Sequence, residues 1–138
     1  EEFEVPADLR DVLISNPDVN RFDSYARFRI KGEDRSCAML IYANKPYEGG
    51  SFFNYLTIGL MPLKDGKAEQ QDGKTEIYGI NDAENFFDLV GRNTDYIINP
   101  EEILAENFAF LLTRKSVTAN PELIEKMRQA LQPQAGRH

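Results

Sequence analysis

The chain has 138 residues, of which 41% are hydrophobic and 28% charged, and a formal net charge of −7. That balance suits one globular domain with a real core, disfavours nucleic-acid backbones and anionic membrane surfaces as partners, and leaves no run near the ~18 apolar residues of a membrane span. Cys37 is the single cysteine, which excludes an intrachain disulfide and is compatible with a reducing, cytoplasmic compartment without establishing one.

From the N-terminus, Glu1 to Val5 reads as a frayed acidic start. The chain shows no signal or transit segment and does not begin with Met, so a processed or fragment chain is compatible with it. Pro6 to Ile14 carries Leu9, Val12 and Leu13 at helical spacing and predicts a short helix, stopped by Ser15-Asn16-Pro17-Asp18. Ser24 to Lys31 alternates, with Ala26, Phe28 and Ile30 on one side and Tyr25, Arg27 and Arg29 on the other, as a half-buried strand does. Arg27, Arg29 and Lys31 are the nearest thing to a basic stripe, and a solvated strand face accounts for them. Gly32-Glu33-Asp34-Arg35 is read as a turn into Ser36 to Ala43, an apolar strand covered on both faces, so the two strands form a hairpin. Cys37 lies in that run, where cysteine behaves as a small buried hydrophobe rather than a nucleophile.

Asn44 to Ser51 is a loop whose Gly49-Gly50 pair reads as a tight bend rather than an anion nest. Phe52 to Leu63 predicts a third strand, with Phe52, Leu56, Ile58 and Leu60 on one face. Asp65-Gly66 and Asp72-Gly73 signal hairpin turns. They bracket a short polar edge strand over Lys67 to Gln71, and Thr75 to Ile80 returns as a fifth strand. Asn81 or Asp82 caps a helix through Val90 with Gly91 past its end, and Asn93 to Ile98 connects.

The longest helical run is Asn99 to Leu112. Asn99 suits the cap, Pro100 the first helical position, and Glu102 the third, where it can reach back to the cap amide. Leu104, Phe108, Leu111 and Leu112 form an apolar stripe, expected to face inward. Glu102, Glu106 and Ala109 share a different face. Two carboxylates one turn apart repel, and burial of that face would favour a nearby cation or a shared proton. After a loop over Thr113 to Thr118, Asn120-Pro121-Glu122 opens a last helix with Leu123, Ile124, Met127 and Leu131 inward. Because it repeats the Asn-Pro-Glu phrase, capping alone explains that phrase. The expected class is therefore α+β: a small antiparallel sheet of hairpins followed by three helices, with Asn99–Leu112 central, in one domain over residues 1–138.

Glu102-x-x-Ala105-Glu106-x-x-Ala109 resembles the carboxylate-bearing helix of gluzincin metallopeptidases. The longer phrase from Gly91 to Phe108, and more loosely Tyr47 to Leu56, resembles the C-terminal part of uncharacterised bacterial zincin-like proteins. The resemblance implies Glu102 as a zinc ligand, Glu106 holding a histidine ligand from behind, Asn99 at a position usually His, and Tyr47 and Glu48 bordering a substrate cleft for a peptide or protein. It also implies a zinc cofactor. The sequence departs from the pattern where the chemistry is heaviest: a gluzincin takes two His ligands and its general base from His-Glu-x-x-His, and the only histidine here is His138. Either that helix lies upstream of Glu1, making this the C-terminal portion of a larger protein, or the chain is a non-catalytic relative, a protein-interaction or regulatory domain in which Glu102 is only a helix cap. A carboxylate-only glycosidase ranks below both, because carboxylates one turn apart on one helix do not face each other across a sugar.

Overall fold

The structure is a computed structural model describing residues 2–15, 23–97, 100–116 and 119–132. The fold is α+β, with antiparallel strands first and, among the described residues, three α-helices after them. The chain divides into two compact units, Glu1–Phe86 and Phe87–His138.

In the first unit the strands are β1 (Leu13–Ile14), β2 (Tyr25–Ile30), β3 (Glu33–Ala43), β4 (Leu56–Lys64), β5 (Lys67–Ala68), β6 (Gln70–Gln71), β7 (Lys74–Thr75) and β8 (Tyr78–Gly79). The long β3 is the spine. Along one side it pairs with β4, from Cys37 opposite Pro62 to Ala43 opposite Leu56. Its other side is shared by β2, from Ile30 opposite Glu33 to Tyr25 opposite Ala38, and by β1, whose Leu13 lies opposite Tyr42. Strands β5 and β8 pair with the far side of β4, and β6 pairs with β7 as a separate ribbon.

Side chains alternate across a strand, so β3 and β4 fill two cores at once. Cys37 and Pro62 stand opposite each other and share a face with Leu60, Phe28 and Ile30, all buried, and Phe86 stacks on Phe28 with ring centroids 5.8 Å apart. The opposite face turns Ala38, Leu40 and Met61 against Phe3 and Leu9. Phe3 thus anchors the segment that the sequence suggests is frayed: its charged neighbours hide one buried aromatic ring. Burial pushes the Cys37 thiol up to about 12, so it is held protonated as packing.

Hairpin chemistry explains the turns. Asp65-Gly66 and Asp72-Gly73 have positive φ at both residues, 52° and 72° and then 52° and 77°, the type I′ pattern that matches strand twist. The same pattern occurs at Lys31-Gly32, with φ of 52° and 79°, so the β2–β3 turn is these two residues rather than Gly32 to Arg35. Glu33 to Arg35 are already paired in the strand.

Other expectations are corrected by pairing demands. Pro6 to Ile14 is a 3-10 turn at Ala7–Leu9 followed by β1, because the backbone of Leu13 and Ile14 completes the open side of β3. Phe52–Tyr55 is a 3-10 turn, and β4 starts at Leu56. Both the Lys67 to Gln71 strand and the Thr75 to Ile80 strand are broken into two-residue pieces. The helix expected from Asn81 or Asp82 to Val90 is a 3-10 turn at Ile80–Asp82 and a short helix α1 (Phe86–Val90). The residues between them serve the edge of β2. Ala83 bridges Ile30, Glu84 N–H donates to the Arg29 carbonyl, and the Asn85 side chain accepts from Arg29 N–H at 2.6 Å and donates to the Arg27 carbonyl. One carboxamide stands in for a neighbouring strand.

A polar cluster forms around Arg35, which lies opposite Phe28 in the same hairpin. The Arg35 guanidinium reaches Glu33 and Glu69 at 3.1 Å and Glu76 at 3.5 Å. Tyr78 donates its hydroxyl to Glu76, which with burial pushes its own pKa up to about 12.

The N-terminal segment is tied down by Asp8, whose carboxylate accepts from both the N–H and the hydroxyl of Thr75, each at 2.8 Å. These bonds hold the Asp8 carboxyl below its ordinary value of 3.8. The tether is therefore complete above that ordinary value and is lost as pH falls through the lower value Asp8 has in the fold. Asp8→Asn is expected to flatten the acid limb of the stability–pH curve below about pH 4, measured by urea unfolding. An unchanged limb would assign the acid sensitivity to other carboxylates.

In the second unit, helices α2 (Pro100–Thr113) and α3 (Pro121–Ala130) pack together. Gly91 ends α1 at φ 73°, its N–H bonded to Phe87 O, and Leu123 of α3 comes so close that a Cβ at Gly91 would lie 2.2 Å from Leu123 Cδ1. Helix α2 closes with paired bonds, Lys115 N–H to Phe110 O and Arg114 N–H to Leu111 O, the Schellman pattern. Its left-handed residue is Arg114, at φ 53°. A side chain there costs about 1 kcal/mol, so Arg114→Gly is expected to raise the unfolding free energy of this unit by up to about 1 kcal/mol in chemical denaturation. In α3, Ile124 is buried and Leu123 and Met127 half-buried as expected, but Leu131 lies past the helix end and is exposed.

Candidate functional site

Helix α2 forms where its sequence says it should. Pro100 is its first residue and Glu101 and Glu102 occupy its first turn, near the positive end of the helix dipole. The expected cap, Asn99, lies outside the described residues.

The face turned inward differs from expectation. Ile103 and Asn107, one turn apart, are the buried positions of α2, whereas Leu104, Phe108 and Leu112 are 59%, 40% and 66% exposed. Of the expected stripe, Leu111 alone is half-buried. Apolar residues run around most of this helix, so hydrophobic spacing picks no single side. The polar groups decide.

Asn107 is 3% exposed, and a buried carboxamide must find partners. Its Nδ2 donates to Ile103 O at 2.8 Å and its Oδ1 accepts from Asn93 Nδ2 at 2.9 Å. Asn93 in turn grips the start of α3: its Nδ2 donates to Asn120 O, and its Oδ1 accepts from Asn120 N–H, both at 2.8 Å. The Asn120 side chain accepts from Arg92 N–H at 2.8 Å and makes no cap bond to its own helix. The repeated Asn-Pro-Glu phrase at α3 is thus a docking device rather than a simple cap. Asn93 is a clamp between two helices, in a stretch read as a mere connector.

Glu102 and Glu106 lie at the border of this inward face and are both half-buried. Glu106 accepts a short hydrogen bond from the Thr94 hydroxyl. That hydroxyl also accepts from Tyr96 N–H at 2.9 Å. Thr94 has one proton to give, so the Tyr96 bond leaves its donor for the carboxylate. Glu106 is thereby oriented as an acceptor through one oxygen. Glu102 stands one turn toward the helix start, with Ala105 and Ala109 on exposed positions of the same helix. Thr94, Asn93 and Asn107 were missed from the sequence, where the one available signal was an uncharged polar pair, Asn93-Thr94, in the segment between two helices.

Tyr47 and Glu48 belong to the first unit, in the loop between β3 and β4. That loop is built on Tyr55. Its buried phenol donates to Gly49 O at 2.7 Å and accepts from Glu48 N–H at 3.2 Å, while Asn44 N–H closes the loop onto Tyr55 O at 3.1 Å. Tyr47 packs on Tyr55 with centroids 5.2 Å apart and donates to Gly50 O at 3.0 Å. The side chains of Tyr47, Phe52 and Phe53 are left exposed, as is Glu48.

The donor set of these residues does not close a zinc site. Among the described residues no three His, Cys, Asp or Glu side chains are grouped to hold a metal ion, and a catalytic zinc takes three protein ligands. Glu102 offers one carboxylate, Glu106 another already engaged by Thr94, and His138 lies outside the described residues. No described helix is long and apolar enough to cross a membrane. No protein-family model, curated protein or solved structure matches the chain.

Proposed function

We propose that this chain is the carboxylate-bearing part of a gluzincin-type zinc metallopeptidase, inactive by itself, with Glu102 as the protein carboxylate that would ligate zinc. Glu106, fixed by Thr94, would hold one histidine ligand from behind. Asn99 would stand just ahead of this pair. The two histidines and the general base would come from a separate His-Glu-x-x-His segment. The substrate would be a peptide or protein, bordered by Tyr47 and Glu48 in the way the resemblance implies.

The observation that carries this reading is the inverted partition of α2. Two acidic side chains are half-buried while Leu104, Phe108 and Leu112 of the same helix stand exposed. Half-burial on the covered side of α2 holds these carboxylates in place, as a metal ligand and the group behind its neighbour must be held.

The test is metal content. The chain alone is expected to retain far less than one zinc after gel filtration. The product of the complete reading frame, carrying the His-Glu-x-x-His segment, is expected to retain about one per chain. In that product Glu102→Gln should abolish zinc retention. If zinc stays and stability alone falls, by the ~1 kcal/mol of a lost cap, Glu102 is a capping residue and the proposal fails. A reading frame with no histidine pair would end it as well.

A second reading, a non-catalytic interaction or regulatory domain, is favoured by the exposed aromatics Tyr47, Phe52 and Phe53 on a loop fixed by Tyr55. It predicts the capping outcome for Glu102→Gln.

A further inference from the structure

We draw no further inference here: the strongest candidate, the exposed apolar face of α2 formed by Leu104, Phe108 and Leu112, carries nothing because nothing in the structure shows what covers it.

Discussion

Asn93→Ala is expected to destabilise the helical unit by about 2–3 kcal/mol, the cost of leaving a buried carboxamide oxygen and a helix-entry N–H without their partner. The variant removes three hydrogen bonds at once. Asn107 Oδ1, Asn120 N–H and Asn120 O all lose the same side chain. Asn107 cannot turn to water, being 3% exposed, so the loss is not recovered locally. The sensible readout is hydrogen exchange at the amides of α2 and α3, because two compact units need not unfold together. Asn93→Asp separates the contributions: it keeps an acceptor for Asn120 N–H and removes the donor to Asn107 and to Asn120 O. A change in exchange free energy below about 0.5 kcal/mol for Asn93→Ala would show that helix packing, not the amide clamp, sets the orientation of α2.

Gly59→Ala is expected to cost about 2–3 kcal/mol in the sheet unit, at the upper end of overpacking effects. A Cβ built at Gly59 would lie 2.5 Å from Ile77 Cγ2 and 2.8 Å from Tyr42 Cε1, well inside the ~3.5–4.0 Å of a carbon–carbon contact. Ile77 is β-branched and stiff at χ1, and it packs against the core of Leu40 and Met61. Gly59 itself is paired on both sides, opposite Leu40 of β3 and Gly79 of β8, so its backbone cannot step aside. Urea unfolding of the single and double variants tests the cause. With Ile77→Ala already present, adding Gly59→Ala should cost at least about 1 kcal/mol less than it does in the wild-type chain. Strict additivity would place the strain elsewhere.

Glycine at this point was not legible as a packing requirement. Within the alternating run Phe52 to Leu63 it reads as a neutral gap, and only the crossing of Tyr42 and Ile77 over β4 makes it necessary. The Asp8 tether is similar. Its partner Thr75 is remote in sequence, and no local pattern announces a carboxylate that will accept two bonds from one residue. By contrast the two Asp-Gly turns were legible because their chemistry is local. Positive φ at both turn residues is a property of those residues and their hairpin, whatever lies beyond.

The carboxylate pair shows both kinds of legibility. That Glu102 and Glu106 share one side of a helix follows from spacing alone. That Glu106 is held by Thr94 does not, because the hydroxyl belongs to a segment with no regular structure. The resemblance to metallopeptidases singles out Glu102, and what the fold shows of it is a half-buried side chain. The apolar stripe assigned to the core was the wrong half of the helix, since the counted leucines were as compatible with an uncovered side as with a covered one.

By itself the sequence determined the α+β order of the chain, the β2–β3 pairing, the hairpins at Asp65 and Asp72, and the span of α2 to within a residue at each end. Those depend on the alternation of side chains, turn residues and helix-start residues, all of which act over a few positions. The tertiary structure decided which side of α2 faces inward, and with it the setting of Glu102 and Glu106. A helix apolar around most of its girth gains similar hydrophobic free energy in several rotations. The choice then falls to directional hydrogen bonds between Asn93, Asn107 and Asn120, groups brought together only when the chain is folded.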